Sequence, residues 1–122
     1  MGSPAASQSS SKGGKGIDPE VFKLNATICQ ALANEKRMEI LYHLTEGPKS
    51  ATELRDRTGL SKSSLSQHMG ILVERGLVKS TPHGKFVEYE LSGQGVTEVF
   101  RAITKLCKQT LEKKRRLARQ LE

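Results

Sequence analysis

The chain has 122 residues, room for one domain of ordinary size and too little for two. Its apolar fraction of 35% falls below the roughly 45–50% of globular chains, and its formal net charge is +7. A small basic domain points to nucleic acid or an anionic surface and away from an acidic small substrate.

No run of about 18 apolar residues offers a membrane span, and no apolar N-terminal stretch offers an export signal, so no membrane partner is expected. Residues 1–16 hold five Ser and four Gly and no Val, Ile, Leu or aromatic. Such a stretch buries too little surface to offset its ordering and reads as a disordered tail or a leftover of cloning. Residues 17–122 then form a single domain, and with no Trp, two Tyr and three Phe its core is aliphatic. Two cysteines are too few for a disulfide scaffold, which points to a reducing cytoplasm.

The first predicted helix has Asp18 as cap, Pro19 at its first position and Glu20 at the positive end of the dipole. Val21, Leu24, Ile28 and Leu32 follow at helical spacing. A second helix runs from Glu35 to Thr45 with Ile40, Leu41 and Leu44 inward, and Gly47-Pro48 stops it. Ser50-Ala51-Thr52-Glu53 is a capping box that opens a short third helix closing at Gly59. Ser61 caps a fourth, in which Leu65, Met69, Leu72 and Val73 make one stripe before Gly76. The connection Thr58-Gly59-Leu60-Ser61 between two short helices has the spacing of a helix-turn-helix.

Two strands come next. Leu77-Val78 begins the first, Pro82-His83-Gly84 is a turn signal, and Lys85 to Leu91 forms the second, with Val87, Tyr89 and Leu91 alternating against Phe86, Glu88 and Glu90. Ser92-Gly93-Gln94-Gly95 breaks the pattern, and a long last helix starts at about Val96, with Phe100, Ile103 and Cys107 on its apolar stripe. The order is α-α-α-α-β-β-α: a mostly α winged helix-turn-helix with an extra helix at each end. A two-stranded hairpin is unstable alone and must pack on the helices. The first and last helices carry apolar stripes that this core does not need. Facing stripes across a two-fold axis would bury both and give a homodimer with two reading helices about one DNA turn apart.

On a helical wheel centred on Leu65, residues Ser63, Ser66, Gln67, Gly70 and Glu74 lie roughly 100–200° from the buried side, with Lys62 on the flank of the first turn. The N-terminal half of that outer face, Lys62, Ser63, Ser66 and Gln67 with His68 on the same helix, holds no carboxylate. Short hydroxyls allow close approach, Gln pairs with adenine, and Lys suits guanine or phosphate. His83 and Lys85 at the wing tip and Lys49 beside the third helix are expected to grip backbone phosphates. A solvated polar face with no ligand is the plain alternative.

At these residues the chain resembles the ArsR/SmtB family of prokaryotic winged-helix repressors. The matching stretches are Ala31-Leu32-Ala33-Asn34-Glu35-Lys36-Arg37-Met38-Glu39-Ile40-Leu41 and Leu60-Ser61-Lys62-Ser63-Ser64-Leu65-Ser66-Gln67-His68-Met69. Gly76-Leu77-Val78, Gly84-Lys85 and Tyr89-Glu90-Leu91-Ser92 continue the match, which spans about Val21 to Lys108. The resemblance implies a homodimer joined through the first and last helices that binds an imperfect palindrome in promoter DNA, with Lys62, Ser63, Ser66 and Gln67 where members touch bases.

Members release DNA when a metal or thiol site is filled. The arsenic-type Cys-Val-Cys run is replaced by Glu53-Leu54-Arg55-Asp56, and the zinc-type Asp and His pairs are missing from Val96 to Lys108. No metal or other cofactor is therefore expected. His43, His68 and His83 sit on separate elements and do not supply a substitute. A subgroup of the family senses reactive sulfur or oxidants with one cysteine in the second helix and another in the last. Cys107 matches the last-helix position; Tyr42 stands at the other, and Cys29 lies one helix earlier. Cys29 and Cys107 are thus candidates for a thiol switch, and neighbouring Arg101, Lys105 and Lys108 would favour a Cys107 thiolate if that residue is exposed. The alternative is that each is a small buried hydrophobe. Other readings are a repressor with a metal, a metalloid or no inducer, and a winged-helix module for protein contact. An enzyme is not expected, since no nucleophile–base–acid set, phosphate loop or metal-ligand spacing is present.

Overall fold

Local capping chemistry starts three of the helices where the sequence predicts, at Asp18, Ser50 and Ser61. A computed structural model describes residues 16–121, so the predicted tail lies almost wholly outside the described residues. The elements are α1 (Pro19–Leu32), α2 (Glu35–Leu44), β1 (Lys49–Ser50), α3 (Ala51–Thr58), α4 (Lys62–Glu74), β2 (Val78–His83), β3 (Phe86–Leu91) and α5 (Gln94–Gln120). They fall into two units, one ending at Glu35 and the other spanning Lys36–Glu122.

In the first unit the Asp18 carboxylate accepts from the Glu20 N–H at 2.9 Å, and Pro19 occupies the start of α1 where its missing N–H costs nothing. Val21, Phe22 and Leu24 on α1 are all exposed.

In the second unit Ser50 and Glu53 form the expected box. The Ser50 hydroxyl accepts from the Glu53 N–H at 3.1 Å, and the Glu53 carboxylate accepts from the Ser50 N–H at 2.9 Å. The Ser50 backbone N–H is the main cause that holds the Glu53 carboxyl below the usual carboxylate range. α3 ends at Gly59, whose φ of 75° is a left-handed conformation that only a residue without Cβ takes freely. Ser61 then caps α4 through the Ser64 N–H at 3.1 Å.

The aliphatic core joins Ile40, Leu41 and Leu44 of α2, Leu54 of α3, Leu65, Met69 and Leu72 of α4, and Leu77 and Val78 at the start of the wing. Each such side chain contributes about 1.5–3 kcal/mol on burial. This is what locks α4 with one side inward and the other in solvent.

The wing differs from the sequence reading in three ways. The sheet has three antiparallel strands in the order β1-β3-β2, because Lys49 and Ser50 pair with Tyr89 and Glu88. The turn is the two residues Gly84-Lys85 alone: His83 opposes Phe86, and Pro82 lies within β2 opposite Val87. Pro is tolerated there because β2 is an edge strand that need not donate outward, while Gly84 takes the positive φ of 60° that a tight hairpin demands. The alternation along β3 is weak, with Val87 to Leu91 all half-buried, since β3 is the central strand and neighbours shade both of its edges. α5 starts two residues earlier than predicted and buries no residue; Val99, Leu106, Leu111 and Leu117 are exposed along it. Among the described residues no helix is long and apolar enough to cross a membrane.

Candidate nucleic-acid interface

The turn between α3 and α4 is braced from two directions. The Thr58 hydroxyl donates to the Leu54 carbonyl at 2.7 Å and accepts from the Leu60 N–H at 3.3 Å. From α2, the Lys36 ammonium donates to the Thr58 carbonyl at 3.1 Å while pairing with Glu39 at 3.2 Å. The Lys36 contact spans 22 residues of sequence, so nothing local announces it.

With the turn held, α4 presents the face drawn on the wheel. Lys62, Ser63, Ser66, Gln67, Gly70 and Glu74 are exposed, and Leu65, Met69 and Leu72 are buried on the opposite side. Among the described residues, the side chains of Lys62, Ser63, Ser66 and Gln67 make no intramolecular hydrogen bond or ion pair. A Cβ added at Gly70 would meet nothing within 4 Å, so the middle of the face is flat and open. Donors and acceptors on such a face are free for an outside partner at no cost in internal bonds.

Three sequence candidates sit differently. His68 turns toward α2, with its Nδ1 3.3 Å from an Arg37 guanidinium nitrogen. Burial, and then the Arg37 charge, push its pKa below the ordinary histidine value, which favours the uncharged ring beside Arg37. Lys49 is only 7% exposed. Its register in β1 carries the side chain to the Glu46 carboxylate at 3.7 Å and the Gly47 carbonyl at 3.5 Å, away from any phosphate grip. His83 is exposed on the wing but faces Glu88 at 3.3 Å and stacks on Phe86 with ring centroids 5.9 Å apart. That carboxylate offsets the charge a protonated ring would offer DNA. Lys85, in the turn itself, is exposed and among the described residues has no ion-pair partner.

Cys29 and Cys107 are free thiols on α1 and α5, and both are exposed in the single chain. The Cys29 thiol donates to the Asn25 side-chain oxygen at 3.3 Å. Among the described residues no group of three or more His, Cys, Asp or Glu is gathered to hold a metal ion.

This geometry agrees with the relatives. A family model described as a helix-turn-helix domain matches residues 32–81, which include α3, the braced turn and α4. The transcriptional activator HlyU of Vibrio cholerae is 37% identical over 79 residues, covering 65% of this chain and 73% of HlyU. The regulator NmtR of Mycobacterium tuberculosis is 30% identical over 83 residues, covering 68% of this chain and 69% of NmtR. Among solved structures, the homodimeric winged helix-turn-helix DNA-binding domain Mb0332 of Mycobacterium bovis, described as a possible ArsR-family regulator, superposes with a TM-score of 0.72. That similarity is at 25% identity over 81% of this chain and 94% of that domain. The solved structure of HlyU from Vibrio cholerae gives a TM-score of 0.68 at 32% identity, covering 73% of this chain and 97% of HlyU. With a braced helix-turn-helix, a three-stranded wing and relatives of this kind, the chain belongs to the ArsR/SmtB family of DNA-binding winged-helix transcriptional regulators.

Proposed function

We propose that the protein is a homodimeric repressor that reads an imperfect palindrome in promoter DNA with α4 and grips the flanking backbone with the wing. The observation that carries this reading is the outer face of α4, where four polar side chains stand free over a rigid apolar underside. Lys62 pairs with phosphate or guanine, Gln67 with adenine, and Ser63 and Ser66 allow close approach. Lys85 at the wing tip contacts phosphate, while His68 and Lys49 support the scaffold from behind. The dimer reading is supported by the exposed Val21, Phe22 and Leu24 of α1 and Val99, Leu106 and Leu117 of α5. These faces gain by mutual burial, and the Mb0332 domain is homodimeric.

The regulatory part of the proposal is a thiol switch. Cys29 and Cys107 are exposed on the two helices of the dimer reading. An oxidant accepts two electrons as the two thiols lose their protons and join in a disulfide, or one zero-valent sulfur atom of a polysulfide bridges the two sulfurs while a second takes the two electrons and two protons and leaves as hydrogen sulfide. The bridge favours one dimer geometry and so changes DNA affinity.

The test is a gel-shift titration on palindromic DNA with the reduced protein and with oxidant or polysulfide added. Affinity is expected to fall by a decade or more per few phosphate contacts as salt rises, and Cys107→Ser is expected to keep DNA binding while losing the oxidant response. A flat salt response overturns the DNA reading; an unchanged oxidant response in Cys107→Ser overturns the switch.

A further inference from the structure

A second feature of the Lys36–Glu122 unit lies apart from the DNA face. Between α2 and α5 the side chains line an open groove of about 380 Å³, within the size range of small-molecule sites. Its apolar part is the pair Tyr42 and Phe100, with ring centroids 6.4 Å apart and planes tilted by 39°. Its polar part is Arg101, Lys105 and Lys108 on successive turns of α5, with the Thr104 hydroxyl among them. No carboxylate lines the groove. Among the described residues none of the three cations forms an ion pair, although Glu98 and Glu112 share their helix.

Two rings beside three unneutralised cations favour one kind of ligand. A neutral apolar molecule would leave the charges unused, and a bare inorganic anion would leave the rings unused. We propose that this groove binds a small aromatic carboxylate, its ring against Tyr42 and Phe100 and its carboxylate on Arg101 and Lys108. Arg101 offers the two-pronged geometry that a planar carboxylate accepts, and Lys105 and Lys108 add point charges from the turns beyond.

The three cations of the groove lie on the side of α5 away from Val99 and Leu117, while Phe100 stands where the apolar stripe of the helix meets the groove. At 100° per residue, Phe100, Thr104, Lys108, Arg101 and Lys105 lie roughly 100–240° round the helix from the line of Val99 and Leu117. Self-association along that line leaves Arg101, Lys105 and Lys108 open, and ligand binding is measured without DNA, so its outcome is separate from that of the DNA reading.

The experiment uses the full chain in its reduced form and calorimetric titration with naphthalene-2-carboxylate. Its neutral amide, naphthalene-2-carboxamide, serves as the matched control. The carboxylate is expected to bind about tenfold or more tighter than the amide. The double variant Arg101→Gln/Lys108→Gln is expected to weaken the carboxylate by about tenfold or more and to leave the amide unchanged. Tyr42 is 52% exposed, so Tyr42→Ala leaves folding intact and is expected to weaken both ligands. Amide-proton shifts are expected on α2 and α5. The proposal is overturned if no binding appears at millimolar ligand, if acid and amide bind alike, if the double variant binds as the wild type does, or if the shifts fall on the α4 face instead.

Discussion

Replacing Gln67 with Ala removes one amide from the middle of the outward face of α4. The side chain is exposed, and among the described residues it has no internal hydrogen bond. A surface change of this kind moves stability by no more than about 0.5 kcal/mol. The expected effect on DNA is larger. A bidentate amide on adenine is worth about 1–3 kcal/mol of discrimination, and a two-fold complex contains it twice, or about 2–6 kcal/mol in all. That range converts to a loss between about 30-fold and about 10⁴-fold in affinity for the specific site. Gln67 is uncharged, so the counterion term is untouched, and non-specific binding and the slope of log K against log salt are expected to stay as they are. Fluorescence anisotropy on the palindrome and on a scrambled duplex, repeated across a salt series, separates the two contributions. An unchanged specific affinity, or equal losses on both duplexes, would refute the role given to Gln67 and with it the orientation of α4.

Other expectations concern the scaffold. Leu72 is fully buried at the centre of the core, so Leu72→Ala is expected to cost about 2–5 kcal/mol, seen as a lower urea midpoint with an unchanged slope. Ser50→Ala removes the hydroxyl that caps α3 and is expected to cost about 1 kcal/mol in the same assay. Burial and Arg37 lower the pKa of His68 in the folded chain. The unfolded chain therefore takes up its proton first, and stability is expected to be full above about pH 6.5 and to fall as the pH drops below it. His68→Gln is expected to flatten that acid-side decline, which parallel denaturation curves between neutral and mildly acidic pH can check. A decline of equal depth in both proteins assigns the effect to another group.

The helices were legible because their signals are short. Asp18, Ser50 and Ser61 each bond a backbone N–H two or three residues ahead, and Gly59 ends α3 by its own dihedral freedom. β1 gave no such signal. Two residues cannot show an alternation, and the partners of Lys49 and Ser50 are Tyr89 and Glu88, far along the chain. Pro82 misled for a related reason: a proline reads as a turn until it is known that its strand lies at the edge of the sheet.

The same distinction sorts the candidate site. The outer face of α4 follows from helix period and the burial of Leu65, Met69 and Leu72, so the exposure of Lys62, Ser63, Ser66 and Gln67 was legible from the helix period alone. Charge type alone did not find the rest. Lys49 and Lys85 are equally basic in the sequence, yet one lies against Glu46 in the sheet and the other stands in the hairpin turn. His68 and Lys62 share a helix, yet His68 answers to Arg37, which is 31 residues away. What separates a cation left exposed, and so proposed to grip phosphate, from a buried one is the partner that tertiary structure brings to it. The sharpest comparison is therefore Lys85→Gln against Lys49→Gln. Loss of Lys85 should lower the salt slope by about 0.9 per phosphate contact removed, with stability unchanged. Loss of Lys49 should destabilise the wing while leaving that slope alone, and the reverse pattern would mean the two lysines have been assigned to each other's roles.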